Sequence, residues 1–167
     1  SEINSIVLPE THSSDGCNGS DASFPELLGF GTDEEKNPNS YTEFGGNYTS
    51  VIAASWNKEL QEERGFLQGE EVLFQGCNLR RTPFSGRNEE YYSEDSNVNY
   101  YVGTIVLSAE QERGVIAGPK HFCGNDFETQ RGGISYFYRE QAFREGSLRG
   151  FEGAMRNDLG GVLGAME

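Results

Sequence analysis

Short apolar runs alternate with amphipathic stretches along this chain, and their order predicts strands and helices in succession. Residues 6–8 read as a short apolar strand closed by Pro9. Asn57 is placed to cap a helix over 58–75, in which Leu60, Leu67 and Phe74 recur every seven residues and predict one buried face. Glu59, Glu62, Glu63, Glu70 and Glu71 fall mostly off that stripe and are expected in solvent, while Trp56 is expected to pack inside. A second helix is predicted over 98–113, with Val102, Ile105 and Val106 on its apolar stripe and Gly114 as the residue past its end. Val115, Ile116 and Ala117 then read as a buried parallel strand. A third helix is expected over about 137–157, with Leu148, Phe151 and Met155 on one face, and residues 161–166 are a last strand candidate. Residues 29–46 are rich in Gly, Asn, Asp and Glu without periodicity and read as a surface loop.

This alternation predicts an α/β fold, and length bounds how much of one. At 167 residues the chain is expected to form a single domain. A complete (β/α)8 barrel takes about 250 residues and rarely fewer than about 200, so the chain can hold roughly half of one. The hydrophobic share of 35% and the 22 glycines point to a loop-rich chain with a light core. The net charge of −14 argues against nucleic acid and anionic membranes as partners, since both need a basic face. No apolar run is long enough for a transmembrane helix. Residues 1–9 lack the look of a signal peptide, as mature secreted chains do too. Cys17, Cys77 and Cys123 form no metal-binding spacing, and an odd count favours reduced thiols and a cytoplasmic, bacterial setting. Asn18-Gly19-Ser20 and Asn47-Tyr48-Thr49 match the glycosylation sequon, a frequent chance match.

The chemistry concentrates after the strand at 115–117. Lys120 and His121 stand at its carboxyl end, followed by Asn125, Asp126, Glu128 and Arg131. Strand carboxyl ends line the ligand crevice in α/β architectures, and cations, carboxylates, an amide and an imidazole together can grip a polyhydroxylated ligand. On chemistry alone the same residues also suit a solvated loop. Ser14-Asp15-Gly16 reads first as turn chemistry.

The wording of several segments resembles glycoside hydrolase family 3, the β-glucosidase and exo-glycosidase family. Lys120-His121-Phe122 followed by Asn125-Asp126-x-Glu128-Thr129-x-Arg131 carries that resemblance. Arg81-Thr82-Pro83, Gly86-Arg87-Asn88 and Ser93-Glu94-Asp95 carry it as well, with Ser55-Trp56-Asn57, Asp15-Gly16 and the stretch 139–145 in the family's order. The resemblance implies the amino-terminal part of a TIM-type (β/α) barrel, roughly its first half, from a retaining exo-acting β-glycosidase. It implies that Asp15, Arg87, Lys120, His121 and Arg131 bind sugar hydroxyls in the −1 subsite. Glu90 and Glu94 would orient Arg87 and its loop, Glu128 would pair with Lys120 or Arg131, and Phe122 would pack beneath the loop. The charges of 139–145 would form surface pairs. It implies a small carbohydrate ligand and no metal or organic cofactor.

Departures from the family pattern are visible. Cys17 stands where a proline follows Asp-Gly, and Glu89 replaces a Phe. The strand expected between helix 58–75 and Arg81 looks shortened or missing. The Ser-Asp-Trp motif that carries the family's nucleophile does not occur, and no acid/base is recognised. Two further readings follow: a non-catalytic carbohydrate-binding fragment, or a partial barrel completed by a second chain or copy.

Overall fold

The computed structural model describes residues 13–14, 48–74, 76–84, 90–127 and 129–156. The strand candidates at 6–8 and 161–166 and the loop at 29–46 lie outside them. Three parallel strands form one sheet in the order β1 (Ser13–Ser14), β2 (Leu79–Pro83), β3 (Ile116–Lys120). Ser13 pairs with Leu79, Leu79 with Ile116, and Pro83 with Lys120. Helix α1 (Thr49–Ala54) and helix α2 (Lys58–Phe74) precede β2, and helix α3 (Ser96–Glu112) precedes β3. Parallel neighbours joined through helices make this an α/β fold. Before Arg81 only Leu79 and Arg80 are in a strand, short as the sequence suggests, and β2 continues through Arg81-Thr82-Pro83.

The helix ends obey local chemistry. Asn57 Oδ1 accepts from the Leu60 amide at 3.0 Å, the expected N-cap of α2. Asp95 caps α3, its Oδ1 accepting from Asn97 N at 2.8 Å and Val98 N at 3.3 Å, so α3 starts two residues before the predicted position. Gly114 closes α3 with φ +90°, where a side chain would be strained.

The packing of α2 overturns its predicted face. Gln61, Arg64, Gly65, Gln68, Gly69 and Val72 are buried, while Leu60 and Phe74 are exposed and Leu67 is half-buried. A Cβ on Gly65 would lie 2.5 Å from the Val106 carbonyl oxygen and 2.6 Å from Ala109 Cβ. The two helices therefore approach to backbone distance, and the glycine face excludes the leucine face. Glu59, Glu63 and Glu70 are exposed as expected, and Glu62 and Glu71 are half-buried.

Two more expectations fail. Trp56 is 77% exposed, in the turn between α1 and α2, with φ 52°. The last helix begins at Glu140 and comes in pieces: α4 (Glu140–Ala142), a π-helical turn (Phe143–Ser147) and α5 (Arg149–Met155). Phe151 is buried and Leu148 half-buried, but Met155 is 73% exposed. Gly150, Gly153 and Ala154 face inward instead, and a Cβ on Gly153 would meet Thr104 Oγ1 at 2.5 Å on α3.

The core joins Ala53, Phe84, Tyr92, Val102, Val106, Leu107, Ala117, Phe151 and Ala154. Phe84 meets the Tyr92 ring edge-on at 6.1 Å. Among the described residues, no helix is long and apolar enough to cross a membrane.

Candidate active site

The alternation of a strand sends successive side chains to opposite faces. On β3, Ala117 joins the core beneath α3, so Ile116, Gly118 and Lys120 share the opposite face. The Cβ direction of Gly118 points at Leu79 Cδ2 and Arg81 Cγ, which puts those β2 residues on the same side. Arg80 and Thr82 point the other way, toward Glu110 on α3.

Lys120 and His121 stand at the carboxyl end of β3, as the sequence predicts; both are buried, and the peptide between them is cis. Phe84 N donates to the Lys120 carbonyl, which holds the chain leaving β2 against this strand end. Lys120 Nζ lies 3.5 Å from Glu90 Oε2, with the side chains 5% and 16% exposed. Glu90 thus reaches Lys120, a partner the sequence reading did not give it; Glu94 is exposed.

The backbone that carries Glu90 is held firmly. Thr49 Oγ1, at the start of α1, interacts with the Glu90 carbonyl at 2.6 Å and the Tyr91 carbonyl at 3.0 Å. Asn99 Oδ1 accepts from Tyr92 N and Ser93 N, both at 3.1 Å, and its Nδ2 donates to the Ser93 carbonyl. In the sequence Thr49 stands out only as part of a sequon; its buried hydroxyl braces this loop.

The segment after His121 is braced by tyrosines. Tyr136 Oη accepts from Phe127 N and donates to the Phe127 carbonyl, each at 3.2 Å. Tyr138 Oη donates to Asp126 Oδ2 at 3.2 Å. Burial pushes the Tyr138 phenol up, and the Asp126 carboxylate adds to the rise. Phe122 packs its edge on Phe151 at 5.1 Å, yet stays partly exposed rather than wholly beneath the loop. Arg131 opens an exposed 3-10 turn, Arg131–Gly133, and does not share the buried surroundings of Lys120 and His121. Asp15, Arg87 and Glu128 lie outside the described residues. Among the described residues, no cluster of three His, Cys, Asp or Glu side chains could hold a metal ion.

The chemistry on offer is therefore a buried ammonium and a buried imidazole, both at a strand's carboxyl end and both able to donate to hydroxyl oxygens. No family model matches the chain. Over 122 residues, 68% of its length, it is 30% identical to the probable β-glucosidase H of Aspergillus clavatus. Its fold matches that of β-glucosidase 3B from Thermotoga neapolitana in complex with glucose, with a TM-score of 0.76 and 32% identity over 90% of this chain. It also matches the glycoside hydrolase family 3 β-glucosidase of Neurospora crassa, with a TM-score of 0.61 and 25% identity over 71% of this chain. The chain is related to the family 3 β-glucosidases. It spans 15% of the length of the Aspergillus relative, 21% of the Thermotoga chain and 17% of the Neurospora chain. The family 3 motifs read from the sequence and these similarities agree.

Proposed function

We propose that this chain supplies the sugar-binding part of the −1 subsite of a retaining, exo-acting β-glycosidase, first of all a β-glucosidase hydrolysing terminal β-glucosyl residues. The observation that carries the reading is the buried Lys120–His121 pair at the carboxyl end of β3, in a chain related to β-glucosidases. Lys120 and His121 donate to hydroxyls of the bound sugar. Arg87 adds a planar fork of donors, Asp15 accepts from hydroxyls, and Arg131 approaches from the loop after β3. Hydrogen bonds that strengthen as the ring becomes oxocarbenium-like lower the barrier. Nucleophile and acid/base, about 5–5.5 Å apart in a retaining enzyme, come from outside these residues. The three strands and their helices then form part of the first half of a (β/α)8 barrel, completed by further chain or by a second copy.

The test is a glucose titration of the chain followed by NMR. Wild-type binding is expected, weakened at least about tenfold by Lys120→Met, the loss of one charged hydrogen bond; equal binding by both proteins overturns the reading. A binding-only role is the second reading. Turnover of a chromogenic β-glucoside by the 167-residue chain alone would count against it.

A further inference from the structure

Lysine is a flexible stem ending in a point charge with three donors, so its usefulness at a sugar site depends on where the ammonium is held. We infer that Glu90 is the positioning residue for Lys120 and that Thr49 anchors Glu90. This rests on the sugar-binding reading above and names the device that aims one of its donors.

Three observations converge. The Glu90 carboxylate lies 3.5 Å from Lys120 Nζ in largely buried surroundings, where an ion pair is weakly screened. The carboxylate sits on a backbone fixed from two independent elements. Thr49 on α1 engages the carbonyls of Glu90 and Tyr91 through one hydroxyl, and Asn99 on α3 accepts from the Tyr92 and Ser93 amides and donates to the Ser93 carbonyl. Tyr92 itself is a core residue, packed edge-on against Phe84, whose amide donates to the Lys120 carbonyl. The scaffold therefore sets the carboxylate, and the carboxylate sets the place of the ammonium at the strand's carboxyl end. Thr49 and Glu90 need not touch the sugar.

The experiment is pulsed acetylation of the full chain with an amine-reactive ester, read by peptide mass, with and without glucose. Lys58, exposed and paired with Glu62, is the internal reference. Wild-type Lys120 is expected to react slowly, and more slowly still with glucose. Glu90→Gln should raise the Lys120 rate and the glucose Kd, each by about tenfold, with Lys58 unchanged. Thr49→Val should shift both in the same direction by less, and Thr49→Ser should restore them. Unchanged Lys120 rates in Glu90→Gln and Thr49→Val overturn the inference. If Glu90→Gln fails to fold, the Thr49→Val and Thr49→Ser pair decides alone. Absence of glucose protection in the wild-type chain would sink the sugar-binding reading, while the acetylation rates would still decide the clamp.

Discussion

Arg80 on β2 reaches Glu110 on α3 at 3.0 Å, and Lys120 on the next strand reaches Glu90 at 3.5 Å. Both are cation–carboxylate pairs on one parallel sheet, but they face opposite ways. The first is sealed between sheet and helices, with side chains 1% and 0% exposed, and Thr82 Oγ1 donates to the same carboxylate at 3.3 Å. The second stands at the strand end, with side chains 5% and 16% exposed. A planar guanidinium suits the sealed position because its donors are held in a rigid plane, whereas a lysine ammonium is a compact point charge on a flexible stem. One pair thus joins sheet to helix, while the other stands at the strand end where we propose that the sugar binds.

The largest expected effect is on the sealed pair. Arg80→Met leaves a carboxylate buried without its guanidinium and should cost about 3–5 kcal/mol at neutral pH by denaturant unfolding. Burial raises the Glu110 carboxyl above the ordinary value near 4.5, against the lowering pull of Arg80, Thr82 and Arg64. A carboxyl raised in this way contributes stability below that value and loses it as pH climbs above it. Wild-type stability should therefore fall as pH rises above about 4.5 from this group, and the loss in Arg80→Met should shrink toward acid. A unit-by-unit pH series of midpoints would test this; a midpoint independent of pH would contradict it.

A smaller effect is expected from the contact that brings α3, and Glu110 with it, against α2. Gly65→Ala places a methyl group 2.5 Å from the Val106 carbonyl oxygen, an overpacking of about 1–3 kcal/mol. Its thermal midpoint should drop while Lys120 acetylation stays near wild type, because the Glu90 clamp hangs on Thr49 and Asn99. The smallest effect should come from Arg144→Ala. Arg144 pairs with Glu140 at 3.0 Å at an exposed helix surface, as the sequence suggests for that stretch, and such pairs contribute no more than about 0.5 kcal/mol.

What could be read from the sequence followed what leaves a mark there. The Asn57 cap, the Gly114 stop and the polar strand end at Lys120–His121 each depend on one residue's local chemistry, and each appears as predicted. The buried faces of α2 and α5 did not show, because glycine adds no apolar signal to a periodic pattern. Leu60, Phe74 and Met155 therefore marked a stripe that the backbone contacts turn outward. Trp56 failed for the opposite reason, since a large apolar side chain is read as buried wherever it stands. Glu90 escaped because its partner is set by the long-range bracing of its loop from Thr49 and Asn99.

The glycine contacts invert the logic of a truncation scan. Replacing residues one by one with alanine removes atoms nearly everywhere in a protein, and the damage measures what each side chain contributed. At Gly65 and Gly153 the same replacement adds an atom where another already stands. The spacing between the helical layers is thus encoded by missing matter, and a mutational map of this chain should be least forgiving where there is no side chain to remove.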